Sequence, residues 1–97
     1  MNQIIKYCST SVKEIFEERG PFKFKKSELP KNSKSLEKRT ITEIDSKTYY
    51  LGQWNKSNDT REGRGVLVKD GSIYEGFWKN DSENGVGRFI NQSGDVY

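Results

Sequence analysis

Ninety-seven residues give room for one small domain, and at 31% hydrophobic residues that domain is too poor in apolar side chains for a large compact core. The absence of His removes the commonest general base and neutral metal ligand, and the single Cys8 excludes an internal disulfide or a cysteine-cluster metal site. The net charge of +3 is uneven: residues 1–47 carry eleven Lys/Arg against seven Asp/Glu, residues 48–97 six against seven.

Residues 1–20 predict a short helical leader. Ser11 followed by Glu14 has the spacing of a capping box, and Val12, Ile15 and Phe16 then fall on one face. Gly20-Pro21 stops the helix, because Gly accepts a left-handed conformation and Pro cannot continue the turn. A helix this short is marginal alone and must dock on something. The opening MNQIIKYCSTSVKE lacks the continuous apolar core of a secretory signal, and no run of about 18 apolar residues exists, so the expected compartment is reducing and intracellular. Cys8 reads as a lone, half-buried thiol in preference to a lipidation site.

Residues 21–39 read as a basic linker, with seven Lys/Arg against two Glu and with Pro30, Asn32 and several serines to discourage regular structure. Phe22, Lys23, Phe24, Lys25 and Lys26 alternate rings with cations and are the candidate partner-binding residues. Two readings are open: a solvated spacer, or an electrostatic strap onto an acidic protein surface or anionic lipid.

From Thr40 onward Ile, Thr and Tyr accumulate and turns recur, which is strand composition with hairpin punctuation. This half matches itself. Tyr50, Gly52 and Trp54 recur as Tyr74, Gly76 and Trp78, Gly63 and Gly65 as Gly85 and Gly87, Gly71 as Gly94, and Tyr74 as Tyr97. The loop NKSNDTRE of the first copy is two residues longer than KNDSEN of the second. A period in the twenties indicates an array of small supersecondary units. Each unit reads as a β-hairpin; in the second, Tyr74 to Lys79 and Gly85 to Ile90 are the strands and Asn80 to Asn84 the turn. Alternation puts Tyr74, Gly76 and Trp78 on one face. Glycines at fixed positions beside aromatics leave room for rings, so Tyr and Trp are expected to lie across bare neighbouring backbone in a core made mostly of rings on glycine.

The pattern Y-x-G-x-W, G-x-G, D/S-G-x-x-Y resembles the MORN (membrane occupation and recognition nexus) repeat. YEGFWKNDSENGVGRFINQSGDVY matches closely; the first copy departs in its longer loop and in Leu51, where the family usually has Glu. ITEIDSKTYY is similar to the closing strand of a degenerate half-repeat, with Ser46-Lys47 replacing the usual Asp-Gly. The GPFKF stretch is similar to leaders of MORN proteins from ciliated protists. The expected architecture is mainly β: a single-layer antiparallel meander over 40–97 (half-repeat 40–49, repeats 50–73 and 74–97), preceded by helix and linker. The chain stops where the family continues with Glu-Gly-x-Trp, so a fragment of a longer protein, or an array completed by a partner, is expected, and the sheet edge after Tyr97 is expected to be continued or capped.

No catalytic constellation is expected. Gly63-Arg64-Gly65 and Gly85-Val86-Gly87 lack the third glycine of a dinucleotide fingerprint, and Arg61 and Arg64 form no basic face, so neither a nucleotide cofactor nor a nucleic-acid partner is expected. Asp59, Asp81 and Asp95 lack metal-site spacing. The resemblance implies a non-enzymatic scaffold or adaptor docking to proteins of a larger cytoskeletal assembly, in cilium or cell cortex. The alternative it implies is an anionic-phospholipid-associating module, or a regulatory fragment of a phosphoinositide-kinase-like protein.

Overall fold

The computed structural model describes residues 2–23 and 35–97. Two helices, α1 (Asn2–Ile5) and α2 (Thr10–Arg19), precede six strands: β1 (Leu36–Lys38), β2 (Thr42–Asp45), β3 (Thr48–Asn55), β4 (Thr60–Lys69), β5 (Ser72–Lys79) and β6 (Ser82–Ile90). The strands form one open antiparallel sheet in the order β1-β3-β4-β5-β6, and β2 also pairs with β3. The molecule is mainly β, a single-layer antiparallel meander preceded by two short helices. Leu36–Lys38, which sequence reads as linker, is a strand: it pairs with Gln53–Asn55 at one end of β3 while β2 pairs with Thr48–Tyr50 at the other. The basic composition concealed it, because three residues carry almost no periodicity.

Turn chemistry sets the register. Asp70-Gly71 and Asn80-Asp81 both hold positive φ at both positions (50° and 87°; 50° and 66°), the geometry of two-residue hairpin turns that match strand twist. The second turn is thus Asn80-Asp81, shorter than the Asn80–Asn84 expectation, and β6 starts at Ser82. The first copy's two extra residues sit in the Lys56–Asp59 loop. The rest of the expected turn in the second copy belongs to a bulge. Pairing passes from Gly76↔Gly87 to Trp78↔Glu83, and in the first copy from Gly52↔Gly65 to Trp54↔Arg61. Gly63 (φ 88°) and Gly85 (φ 85°) lie in these bulges, in a conformation few other residues tolerate.

The first turn of α2 is capped by Ser9, not Ser11: the Ser9 hydroxyl accepts the Val12 N–H, and Ser11 Oγ instead donates to the Gln92 carbonyl at 2.9 Å. Ser11 reaches that carbonyl because α2 lies on the sheet. Ser9 N–H likewise donates to Gly71 O at 3.0 Å. Gly20 ends α2 with φ 78° and donates to Phe16 O.

Docking of the leader corrects the expected core. The face opposite the tryptophans packs Val66, Val68, Ile73 and Ile90 against Ile4, Cys8, Val12 and Phe16 of the leader, and Tyr7 stacks on Tyr49 at 3.7 Å between ring centroids. The molecule therefore has an ordinary aliphatic core under its helices, and a separate aromatic cluster of Tyr50, Trp54 and Trp78 on the other face. Removing residues 1–39 would strip four residues from the aliphatic core, so such a truncation reports on folding and not on docking.

Candidate functional site

The repeated residues meet on one face. The registers place Tyr50, Leu67, Tyr74 and Phe89 in one cross-strand row, and Gly52, Gly65, Gly76 and Gly87 in the next. Tyrosines, not tryptophans, cover the glycines. A Cβ added at Gly65 would lie under 3.0 Å from the Tyr50 ring and hydroxyl; at Gly76 and Gly87 it would meet Tyr74 equally closely. The Tyr50 hydroxyl donates to Gln53 O at 2.7 Å and that of Tyr74 to Phe77 O at 3.4 Å, each closing a loop three residues along its own strand. Burial pushes both phenols above their ordinary range.

The indoles stand edge-on to these rings. Trp54 meets Tyr50 at 5.3 Å between centroids, Trp78 meets Tyr50 at 5.4 Å, and Trp78 meets Tyr74 at 5.4 Å, all near-perpendicular. The result is a ladder Trp54–Tyr50–Trp78–Tyr74. Edge-to-face pairs contribute about 0.5–1.5 kcal/mol each beyond their buried area, so stacking repeats is directly stabilising. Both indole Nε1–H groups are buried without an acceptor among the described residues, so packing and cation cover hold the indoles.

That cover is itself periodic. The Arg39 guanidinium lies 4.8 Å from the Trp54 centroid and that of Arg61 lies 4.9 Å from Trp78. Arg39 pairs with Asp59 at 2.6 Å, and Arg61 with Asp81 at 3.1 Å. Both aspartates sit in hairpin turns with positive φ. Asp81 also accepts the Arg61 backbone N–H at 2.7 Å. That hydrogen bond chiefly, with the guanidinium adding and burial opposing, holds the Asp81 carboxyl below its ordinary 3.8. Its stabilising contribution is full above pH 3.8 and is lost as pH falls through the lowered value. By sequence alone Arg61 reads as solvated, and Asp59 and Asp81 as turn residues. One signal points further: Arg39 to Arg61 and Asp59 to Asp81 have one and the same spacing.

On the leader face, Glu75 is fully buried and pairs with Arg88 at 2.7 Å. Its other oxygen accepts the Phe22 N–H at 2.9 Å, while Arg88 donates to Gly20 O at 2.6 Å. The pair thus clips the chain leaving α2. Leu51, in the corresponding place of the first copy, is paired across the strands with Val66 and packs on the core beside the leader. Of the candidate partner-binding residues, Phe22 is half-buried and Lys23 exposed. Phe24, Lys25 and Lys26 lie outside the described residues. Between α1 and residues 38–41 runs a depression of about 660 Å³ lined by Lys6, Tyr7, Lys38, Arg39, Ile41 and Leu51 among others.

Cys8 lies in the core at 7% exposure, and burial, opposed by Lys13, pushes its thiol up to about 11. About two units above its ordinary 9.0, it holds roughly one-hundredth of the usual thiolate near neutrality. Alkylation by a thiol-reactive dye at pH 8 is expected to be about a hundredfold slower than for free cysteine, and to reach the free rate in denaturant. Fast labelling of the folded chain would contradict the packing described.

Among the described residues no group of three metal-ligating side chains converges, and no helix is long and apolar enough to cross a membrane. The chain matches no family model, no curated protein and no solved structure.

Proposed function

We propose that the chain is a non-enzymatic module of MORN-like repeats that holds partner proteins within a larger assembly. The observation that carries this is the duplicated unit: a tyrosine on glycine, an indole edge-on to it, and an arginine tying that indole to the next hairpin turn. The tyrosines close their own hairpins over glycine, while the Trp78–Tyr50 contact and the Arg61 tie to Trp78 and Asp81 pack one hairpin on the next. Such units extend by addition and present a continuous surface, which suits neighbour-holding. The family resemblance points to cytoskeletal settings, cilium or cortex, as the place of that assembly.

Detergent extraction tests it. An epitope-tagged chain expressed in ciliated cells is expected to stay in the detergent-resistant cytoskeletal pellet, and complete release as a free monomer would overturn the reading. The depression flanked by Lys6 and Lys38 favours one alternative, an anionic-phospholipid-associating module such as the regulatory part of a phosphoinositide-kinase-like protein. Flotation with phosphatidylserine vesicles separates the two. The scaffold reading expects the chain at the bottom of the gradient. Flotation that disappears in Lys6→Glu/Lys38→Glu, or at high salt, would favour the lipid.

A further inference from the structure

We infer that the outer edge of β6 beside Tyr74, unpaired at residues 82–88 among the described residues, is a docking site for an extended partner segment carrying an aromatic ring flanked by Lys or Arg. The inference rests on reading the chain as a docking module, and goes further by naming the place and the chemistry of the partner.

Comparison of the two copies locates the site. Tyr50 is fully buried, with an indole on each side, Trp54 and Trp78. Tyr74 has an indole on one side only, Trp78, and is half-buried. Gly63 and Gly65 are buried; their counterparts Gly85 and Gly87 are exposed and half-buried. A Cβ at Gly85 would meet nothing nearer than Phe77 at 4.0 Å. Val86 and Phe89 are 47% and 37% exposed along the same edge. In the first copy the ring that completes the cage of Tyr50 comes from β5, two strands away, and leans over β4. The equivalent ring for Tyr74 must come from a strand added outside β6.

The backbone is prepared for that strand. Phe89 and Tyr97 exchange both backbone hydrogen bonds, at 3.0 and 2.8 Å, so a new antiparallel pairing already begins at the upper end of the edge. Below it, residues 82–88 pair only with β5 among the described residues. An incoming segment satisfies those outward N–H and C=O groups by β-augmentation, and alternate side chains supply specificity.

Charge selects the partner. Arg61 stands opposite Trp54 and covers Trp78; the residue opposite Trp78 is Glu83, exposed and close enough to raise the Tyr74 phenol further. The guanidinium that ties each ring to an aspartate in the next turn is here replaced by a carboxylate. A segment with an acidic turn is repelled, and one with a cation beside its ring is favoured. A second copy pairing through Leu36–Lys38 or Thr42–Asp45 brings no ring, and one pairing through β6 brings Phe89 together with a second Glu83 carboxylate, the charge this edge disfavours.

The probe is a short synthetic strand peptide of alternating Thr and Val with one Trp between two Lys, followed by amide chemical shifts and fluorescence anisotropy on the whole chain. Shifts are expected at residues 83–88, with binding about tenfold tighter than for the Trp→Ala peptide. Glu83→Lys, at an exposed position, should weaken the Lys peptide about tenfold and improve a Glu-flanked peptide, while Glu83→Gln falls between. Binding indifferent to Glu83 or to the ring overturns the proposal, as does an edge-mediated dimer that excludes the peptide. If no peptide binds but the chain stays in the detergent-resistant pellet, this proposal falls and the scaffold reading stands. Peptide binding by a chain that extracts freely supports the docking edge and overturns the scaffold.

Discussion

Gly65→Ala is expected to destabilise the chain by about 3 kcal/mol, lowering its melting temperature by roughly 15 °C or more in a domain of this size. The added methyl would sit under 3.0 Å from the Tyr50 hydroxyl, Cε1 and Cζ. Tyr50 cannot retreat. It is fully buried, fixed by its bond to Gln53 O, and flanked by two indoles. Overpacking of a held core residue costs about 1–3 kcal/mol, and displacing the hydroxyl forfeits about another 1 kcal/mol. Two comparisons isolate the mechanism. Gly87→Ala makes the same approach to Tyr74, which is half-buried and able to yield, so about half the effect is expected. Gly20→Ala meets nothing within 4 Å and bears only backbone strain: φ 78° with ψ 176° is a region almost confined to glycine, at about 1–3 kcal/mol. Thermal and urea melts followed by circular dichroism check the order. Equal losses at Gly65 and Gly87 would mean that the hold on the Tyr50 ring does not set the cost at the second glycine of G-x-G.

The period, the hairpins and the alternation of Tyr, Gly and Trp were legible because strand periodicity exposes them residue by residue. Other features were hidden for identifiable reasons. Gly63 and Gly65 look alike in sequence, yet one supplies a positive φ for a bulge and the other room for a ring; only the register separates the roles. Alternation puts Glu75 on the face opposite Tyr74 and Gly76, and says nothing of what covers that face. Glu75 is buried because the leader covers that face, a long-range contact that local pattern does not reveal. The Arg39 and Arg61 clamps pair residues twenty apart, Asp59 and Asp81, which read simply as turn formers. The edge at Glu83 became visible only by subtracting one copy from the other in three dimensions.

Arg88→Met is expected to cost about 3–5 kcal/mol, the second large effect, because it leaves the fully buried Glu75 carboxylate without its cation. The Phe22 N–H at 2.9 Å remains as partial compensation, which favours the lower end. The first copy shows how the same two positions are filled without charge: Leu51 stands where Glu75 does and Val66 where Arg88 does. Glu75→Leu/Arg88→Val therefore copies a pair this sheet already accommodates. The double variant is expected within about 1 kcal/mol of the parent, since replacing a buried ion pair by packed apolar residues is often neutral or stabilising. The difference between single and double variants is the coupling, measurable in a double-mutant cycle of urea melts. The apolar pair should still have one cost. With neither Arg88 holding Gly20 O nor Glu75 holding Phe22 N–H, the exit from α2 loses its clip. Amide exchange should accelerate at Phe22 while the β5 amides keep their protection. If Phe22 exchange is unchanged, the ion pair serves the sheet alone. If it accelerates at constant global stability, Glu75 and Arg88 fasten the leader to its repeat, a role the Leu51–Val66 pair leaves to packing under α1.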